Sequence, residues 1–124
     1  MPASPDREAG DSVQPPRQPS AEDAKLLTLA RAARARTGGP QGAAVRDDAG
    51  RTYAAATVDL PSMRLSAVQA VVAAAVSSGS DRLEAVAVVG PPGTLAEVDR
   101  LLLDDVSVTT VLLAGTDGVQ RADR

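Results

Sequence analysis

Leu26, Leu27, Ala30 and Ala33 recur at three- and four-residue spacing among polar neighbours, which is the period of one helix face. Ser20 stands three residues before Asp23, a capping-box-like start, and Gly38-Gly39 stops the pattern, so a first helix is expected from Ala21 to Arg36. Gly42-Ala43-Ala44-Val45 is a short apolar run. Asp47-Asp48-Ala49-Gly50 has the residues of a tight turn, and Arg51 to Val58 continues with Thr, Tyr and Val, which together predict a β-hairpin. Pro61-Ser62 offers the next helix start. Leu65 to Val76 is apolar nearly all round and ends at Gly79, the pattern of a central helix buried on most faces. Leu83 to Val89 reads as a strand buried on both sides, broken by Gly90-Pro91-Pro92-Gly93. Thr94 and Glu97 have capping-box spacing and open a helix from Leu95 to Leu103, and Val108 to Leu113 is the next buried strand. A Thr116-Asp117-Gly118 turn and a polar tail over residues 120–124 follow. This order predicts an α/β layered domain over residues 21–119 whose last two strands run parallel through a right-handed crossover. Residues 1–20 hold five of the nine prolines and almost no large apolar side chain, so a disordered Pro-rich leader is expected there.

Composition narrows the chemistry. With 124 residues, 44% hydrophobic and 23% charged, the chain has the make-up of one globular domain. Its apolar residues are mostly Ala, Val and Leu, with Tyr53 the only aromatic, and such small side chains suit close packing of helix on sheet. The chain has no Cys and no His. A disulfide, a thiol nucleophile, a histidine base and a zinc site of the usual nitrogen and sulfur type are therefore excluded. A net charge of −3 gives no footprint for nucleic acid or an anionic membrane, and twelve of the thirteen basic residues are scattered Arg. Arg31, Arg34 and Arg36 are the densest group, at a spacing that decorates a solvated helix face. No apolar run is long enough to span a bilayer and no secretory pattern opens the chain, so the cytoplasm is the expected compartment.

Few local motifs carry chemistry. Gly90-Pro91-Pro92-Gly93-Thr94 looks like the opening of a phosphate-binding loop, but Leu95-Ala96-Glu97 follow where the Lys and hydroxyl would have to be, which leaves a plain strand-to-helix turn. The pairs Asp47-Asp48 and Asp104-Asp105 fall in predicted turns, where Asp serves local hydrogen bonds. Lys25 and Tyr53 each stand alone, and neither makes a catalyst by itself.

The middle of the chain resembles a cytidine deaminase. Gly42-Ala43-Ala44-Val45, Asp48-Ala49-Gly50-Arg51-Thr52-Tyr53 and Thr57-Val58-Asp59 are similar to the family's first strand, its Asp-x-Gly turn and its second strand ending in Asn-Val-Glu. Ser66-Ala67-Val68-Gln69-Ala70 and Leu83-Glu84-Ala85-Val86-Ala87-Val88-Val89 resemble the helix bearing Cys-Ala-Glu and the strand after it. The resemblance runs from about Glu22 to Val89 and implies a three-layer domain with a mixed sheet, an antiparallel hairpin plus parallel C-terminal strands, flanked by helices. In the family, a zinc held by Cys or His activates water and a Glu shuttles the proton. The resemblance places Ser66 at the first ligand, where a helix-capping or packing role is expected instead, Val68 at the Glu, where an apolar side chain points to a filled or dried pocket, and Pro92 and Leu95 at the other two ligands. Thr57 and Asp59 fall where the family's Asn and ribose-contacting Glu would be, which leaves two readings: a vestigial sugar-binding wall, or a strand-end Asp that hydrogen-bonds a nearby helix N-terminus.

These readings converge on a catalytically inactive member of the fold, without metal or other cofactor, retained for binding a nucleoside-like ligand or for assembly. A homo-oligomer, or pairing with a related subunit, is expected, with helix Leu65 to Val76 packing against a copy of itself. A zinc-dependent deaminase of cytidine is what the resemblance alone implies, and a purely structural interaction domain is the remaining alternative.

Overall fold

The computed structural model describes residues 20–115 and 120–122. The leader, apart from Ser20, and the Thr116-Asp117-Gly118 turn lie outside the described residues. Helix α1 (Ala21–Thr37) starts where the Ser20 hydroxyl accepts from the Asp23 N–H at 3.1 Å. It ends at Gly38, whose φ of 68° lets its own N–H reach the Arg34 carbonyl. Strands β1 (Gly42–Asp47) and β2 (Thr52–Ala56) form the expected hairpin. At its turn Asp47 Oδ1 accepts from the N–H groups of Ala49 at 3.0 Å and Arg51 at 2.8 Å.

Pro61-Ser62 does not begin a helix. The two residues turn the chain between two short antiparallel strands, β3 (Val58–Leu60) and β4 (Met63–Leu65), and α2 (Ala67–Ser77) starts after them. Ser66 explains the later start, because its hydroxyl accepts from Gln69 N–H at 3.0 Å while its own N–H donates to Gln69 Oε1 at 2.9 Å. That reciprocal capping box satisfies two helix-end groups at once. Strand β5 (Leu83–Val89) occupies its expected residues. Helix α3 (Glu97–Asp105) begins later than Leu95: its N-cap is Ala96, which has no side-chain cap bond. The capping box expected of Thr94 therefore does not form. Strands β6 (Thr110–Ala114) and β7 (Gln120–Ala122) complete the chain, the latter within the stretch read as a polar tail.

Five strands form one sheet in the order β2-β1-β5-β6-β7, with β5 and β6 parallel and the other neighbours antiparallel. Period-two alternation then sends side chains to two separate cores. Ala44, Ala85, Ala87, Val89, Leu112 and Ala114 face Leu26, Leu27 and Ala30 of α1. Ala43, Val45, Val86, Val88, Val111 and Leu113 pack with Val68, Val71, Val72 and Ala75 of α2 and Leu103 of α3. Leu83 joins this second core despite its odd position because the β1–β5 register shifts between Arg46 and Asp47. The result is three layers: α1, the mixed sheet, and α2 with α3.

Small residues set the spacing. A Cβ on Gly42 would run into the Ala30 carbonyl oxygen and stand 2.7 Å from Arg34 N, so only glycine lets β1 approach α1 this closely. The outer face of α2 differs from expectation, since Ala73 and Val76 are exposed and Val76 retains 47% of its surface. The helix is apolar all round, yet within one chain its neighbours are the sheet, α3 and β4. Among the described residues, no helix is long and apolar enough to cross a membrane.

Candidate functional site

The N-termini of α2 and α3 meet near the C-terminal end of β5, a position where open α/β sheets leave a crevice for ligands. A cavity of about 340 Å³ opens there, within the usual size range of small-molecule pockets. One wall is apolar, made by Pro40, Val88, Pro91, Pro92 and Leu95, with the Pro91–Pro92 peptide bond in the cis form. Gly90 admits the Pro40 loop beside it, since its φ is 129° and a Cβ would strike the Pro40 carbonyl oxygen. The polar lining is Gln41, Thr57, Ser66, Thr94 and Asp99.

Two of these polar side chains serve the scaffold at the mouth. The Thr57 hydroxyl accepts from Gln41 N–H at 3.2 Å and donates to Gln41 O at 3.3 Å, and Gln41 Nε2 donates to the Pro91 carbonyl at 3.3 Å. Together they tie the end of β2 to the segment before β1 and to the proline loop. Deeper in, Ser66 Oγ donates to Asp99 Oδ1 at 2.8 Å. An adjoining groove, sharing Thr57 and Ser66 with the cavity, is lined by Val58, Asp59, Arg64 and Leu65. Asp59 accepts there from Arg64 Nε at 3.1 Å, with both side chains about three-quarters exposed (77% and 76%).

The fold thus brings Thr57, Ser66, Pro92 and Leu95 around one cavity and Asp59 to its rim. Val68 stands apart. It is fully buried in the core with Val71, Leu95 and Leu103, and it does not line the cavity. Sequence reasoning missed Asp99, which is only 4% exposed. Its signal was its register: in a helix expected from Leu95 to Leu103, Leu95, Asp99 and Leu103 lie four apart on one stripe, and a carboxyl interrupts an otherwise apolar face.

Zinc is the metal implied by the resemblance, and the donors here do not fit it. Pro92 and Leu95 offer no side-chain donor, and the Ser66 hydroxyl is already shared between Gln69 N–H and Asp99. The sequence holds no Cys or His, and among the described residues no three acidic, His or Cys side chains gather as a metal group. No catalytic step through a metal follows from this set.

A second polar cluster lies away from the cavity, at the hairpin turn. Asp47 is 1% exposed, and its Oδ2 accepts from Ser80 Oγ at 2.6 Å and from Arg51 Nε at 2.9 Å. The Tyr53 hydroxyl is 3.2 Å from Ser80 Oγ. The Ser80 hydrogen bond does most to hold the Asp47 carboxyl down at about 2; burial opposes it, and the bonds from Arg51 and Ala49 add to it. Every acceptor site of this carboxylate is spent on structure, so the cluster fastens the hairpin to the turn after α2.

Comparison with known proteins agrees with this architecture. A search of the curated proteins finds no match. Among solved structures, the chain is similar to the cytidine deaminase from Burkholderia pseudomallei, with a TM-score of 0.70 and 23% identity over 80% of this chain and 89% of that one. It is also similar to the cytidine deaminase from Mycobacterium leprae, with a TM-score of 0.63 and 24% identity over 80% and 91% of the two chains. A mutant cytidine deaminase from Mycobacterium tuberculosis gives a TM-score of 0.62 and 28% identity over 80% and 88%. The model of the family described as cytidine deaminase-like matches residues 19–118. The chain belongs to the cytidine deaminase-like family.

Proposed function

We propose that this protein is a non-catalytic, metal-independent member of its family that binds a nucleoside-sized ligand in the cavity between α2 and α3. The observation that carries this reading is the cavity itself. It has a volume of about 340 Å³, and Ser66, Pro92 and Leu95, which the resemblance assigns to the family's metal-ligand positions, line it without closing it. A disused pocket in a close-packed domain tends to fill with side chains, because each void forfeits dispersion contacts. Here the apolar wall and the Ser66–Asp99 pair bound the cavity, and the adjoining groove, lined by Asp59 and sharing Thr57 and Ser66 with it, extends the space to the side where a sugar would lie.

Catalysis is disfavoured by the donor set. Deamination needs a nucleophile generated from water and a group that relays its proton. Val68 and the absence of Cys and His remove both. The test is to assay cytidine turnover with added zinc and to measure the metal content of untagged protein. No uridine above the protein-free rate, and no stoichiometric zinc, is the expected result; turnover or one zinc per chain would overturn the reading. The protein also self-associates in this reading, through the outer face of α2, where Ala73 and Val76 are exposed on a helix apolar all round.

A further inference from the structure

Asp99 gives the cavity a specific demand. The residue is 4% exposed and lines the cavity, yet among the described residues the one hydrogen bond its carboxyl receives is from Ser66 Oγ to Oδ1. An ionised carboxylate has about four lone-pair sites. Burying one with a single donor is costly, and buried polar groups are almost always satisfied by protein, water or ligand. Asp47 is the internal contrast: it is as deeply buried, and four donor groups surround its two oxygens. The rest of the lining is apolar (Leu95, the proline rings and Val88) or neutral polar (Gln41, Thr57 and Thr94), and among the described residues no Lys or Arg lines the cavity.

We propose that Asp99 reads a ligand carrying two adjacent N–H donors, an amidine-type edge, of which the N1–H and exocyclic amino group of guanine are the nucleoside form. This rests on the reading of the cavity as a nucleoside site and names the class of base it takes. Two parallel N–H donors match the two oxygens of a planar carboxylate. The other common edges do not. Uracil places one N–H between two carbonyl oxygens, and cytosine and adenine place an amino group beside a ring-nitrogen lone pair, so each turns an acceptor toward the carboxylate. Ser66 is a positioning residue here, since its bond to Oδ1 fixes the plane of the carboxyl while its other contacts cap α2.

The test is calorimetric titration of the full chain with guanosine, inosine, cytidine, uridine and adenosine. Inosine keeps N1–H and lacks the amino group, so guanosine is expected to bind at least tenfold more tightly than inosine and more tightly than the other three. Asp99→Asn replaces one acceptor with a donor and should weaken guanosine at least tenfold, whereas Ser66→Ala leaves the carboxyl in place and should weaken it only a few-fold. Equal affinity for guanosine and inosine, preference for cytidine or uridine, or undiminished binding by Asp99→Asn would overturn the role of Asp99 while leaving a nucleoside site. Binding of none of the five would overturn both. Should Asp99→Asn fail to fold, the guanosine–inosine ratio of the parent chain decides.

Discussion

Two buried carboxyls in this chain differ in what they are for. Asp47 is saturated by the protein and holds a turn; among the described residues Asp99 is left with one bond, and it lines a cavity. The first has a consequence for acid stability. Its carboxyl titrates at about 2 in the fold against 3.8 for a free Asp. As pH falls the unfolded chain takes up this proton first, so the stabilisation is complete above 3.8 and is lost as pH falls from 3.8 through about 2. Ser80→Ala removes the donor that does most to lower the carboxyl, and it should lower the melting temperature by several degrees at pH 7 and by less at pH 2. Thermal unfolding of both chains across that range checks the difference; an equal deficit at both pH values would contradict it. The turn role of Asp47 was legible, because Asp before Ala49-Gly50 is turn chemistry. Its partner Ser80 was not, because it lies 33 residues away and is joined only by the fold. Asp99 was legible in principle from the Leu95-Asp99-Leu103 stripe, but a carboxyl near a helix start also reads as ordinary first-turn charge.

At the scale of elements, each strand and helix forms where pattern and caps agree. Strand β5 was readable to the residue because Gly90-Pro91 breaks an unmixed apolar run. The starts of α2 and α3 were not, and for different reasons. Before α2 two signals competed, and the reciprocal Ser66–Gln69 box prevailed over Pro61-Ser62, which makes a hairpin tip instead. Before α3 the Thr94–Glu97 spacing was present, but the helix takes Ala96 as its N-cap and leaves Thr94 outside. Ser66→Ala should therefore cost more than the roughly 1 kcal/mol usual for an N-cap, because it also removes the donor to buried Asp99, whereas Thr94→Ala should cost nothing measurable in the same denaturant titration. Gly42→Ala is a sharper test of how α1 sits on the sheet, because the added methyl meets Ala30 and Arg34 backbone. A loss of about 1–3 kcal/mol is expected from such overpacking, and an unchanged midpoint would show that the helix can move away.

For the whole molecule, the three layers follow from two strand faces with different apolar partners. The α/β class and the mixed sheet were readable from the order helix, hairpin, helix, strand, helix, strand, and the family resemblance from residues scattered along the same order. The cavity was not readable, because its lining comes from five separate segments between Pro40 and Asp99. The exposed Ala73 and Val76 face makes self-association the expected state. Light scattering should give a dimer or larger at tens of micromolar, and Val76→Glu should shift it toward monomer; a monomeric parent chain would contradict this part of the account. Whether the cavity binds a nucleoside without metal is read out by titration calorimetry of chelator-treated protein with the four common ribonucleosides. Saturable binding of at least one of them is expected, one per chain, with the nucleoside recovered unchanged. No saturable heat from any of the four, binding that appears only when zinc is restored, or recovery of a deaminated product would contradict it.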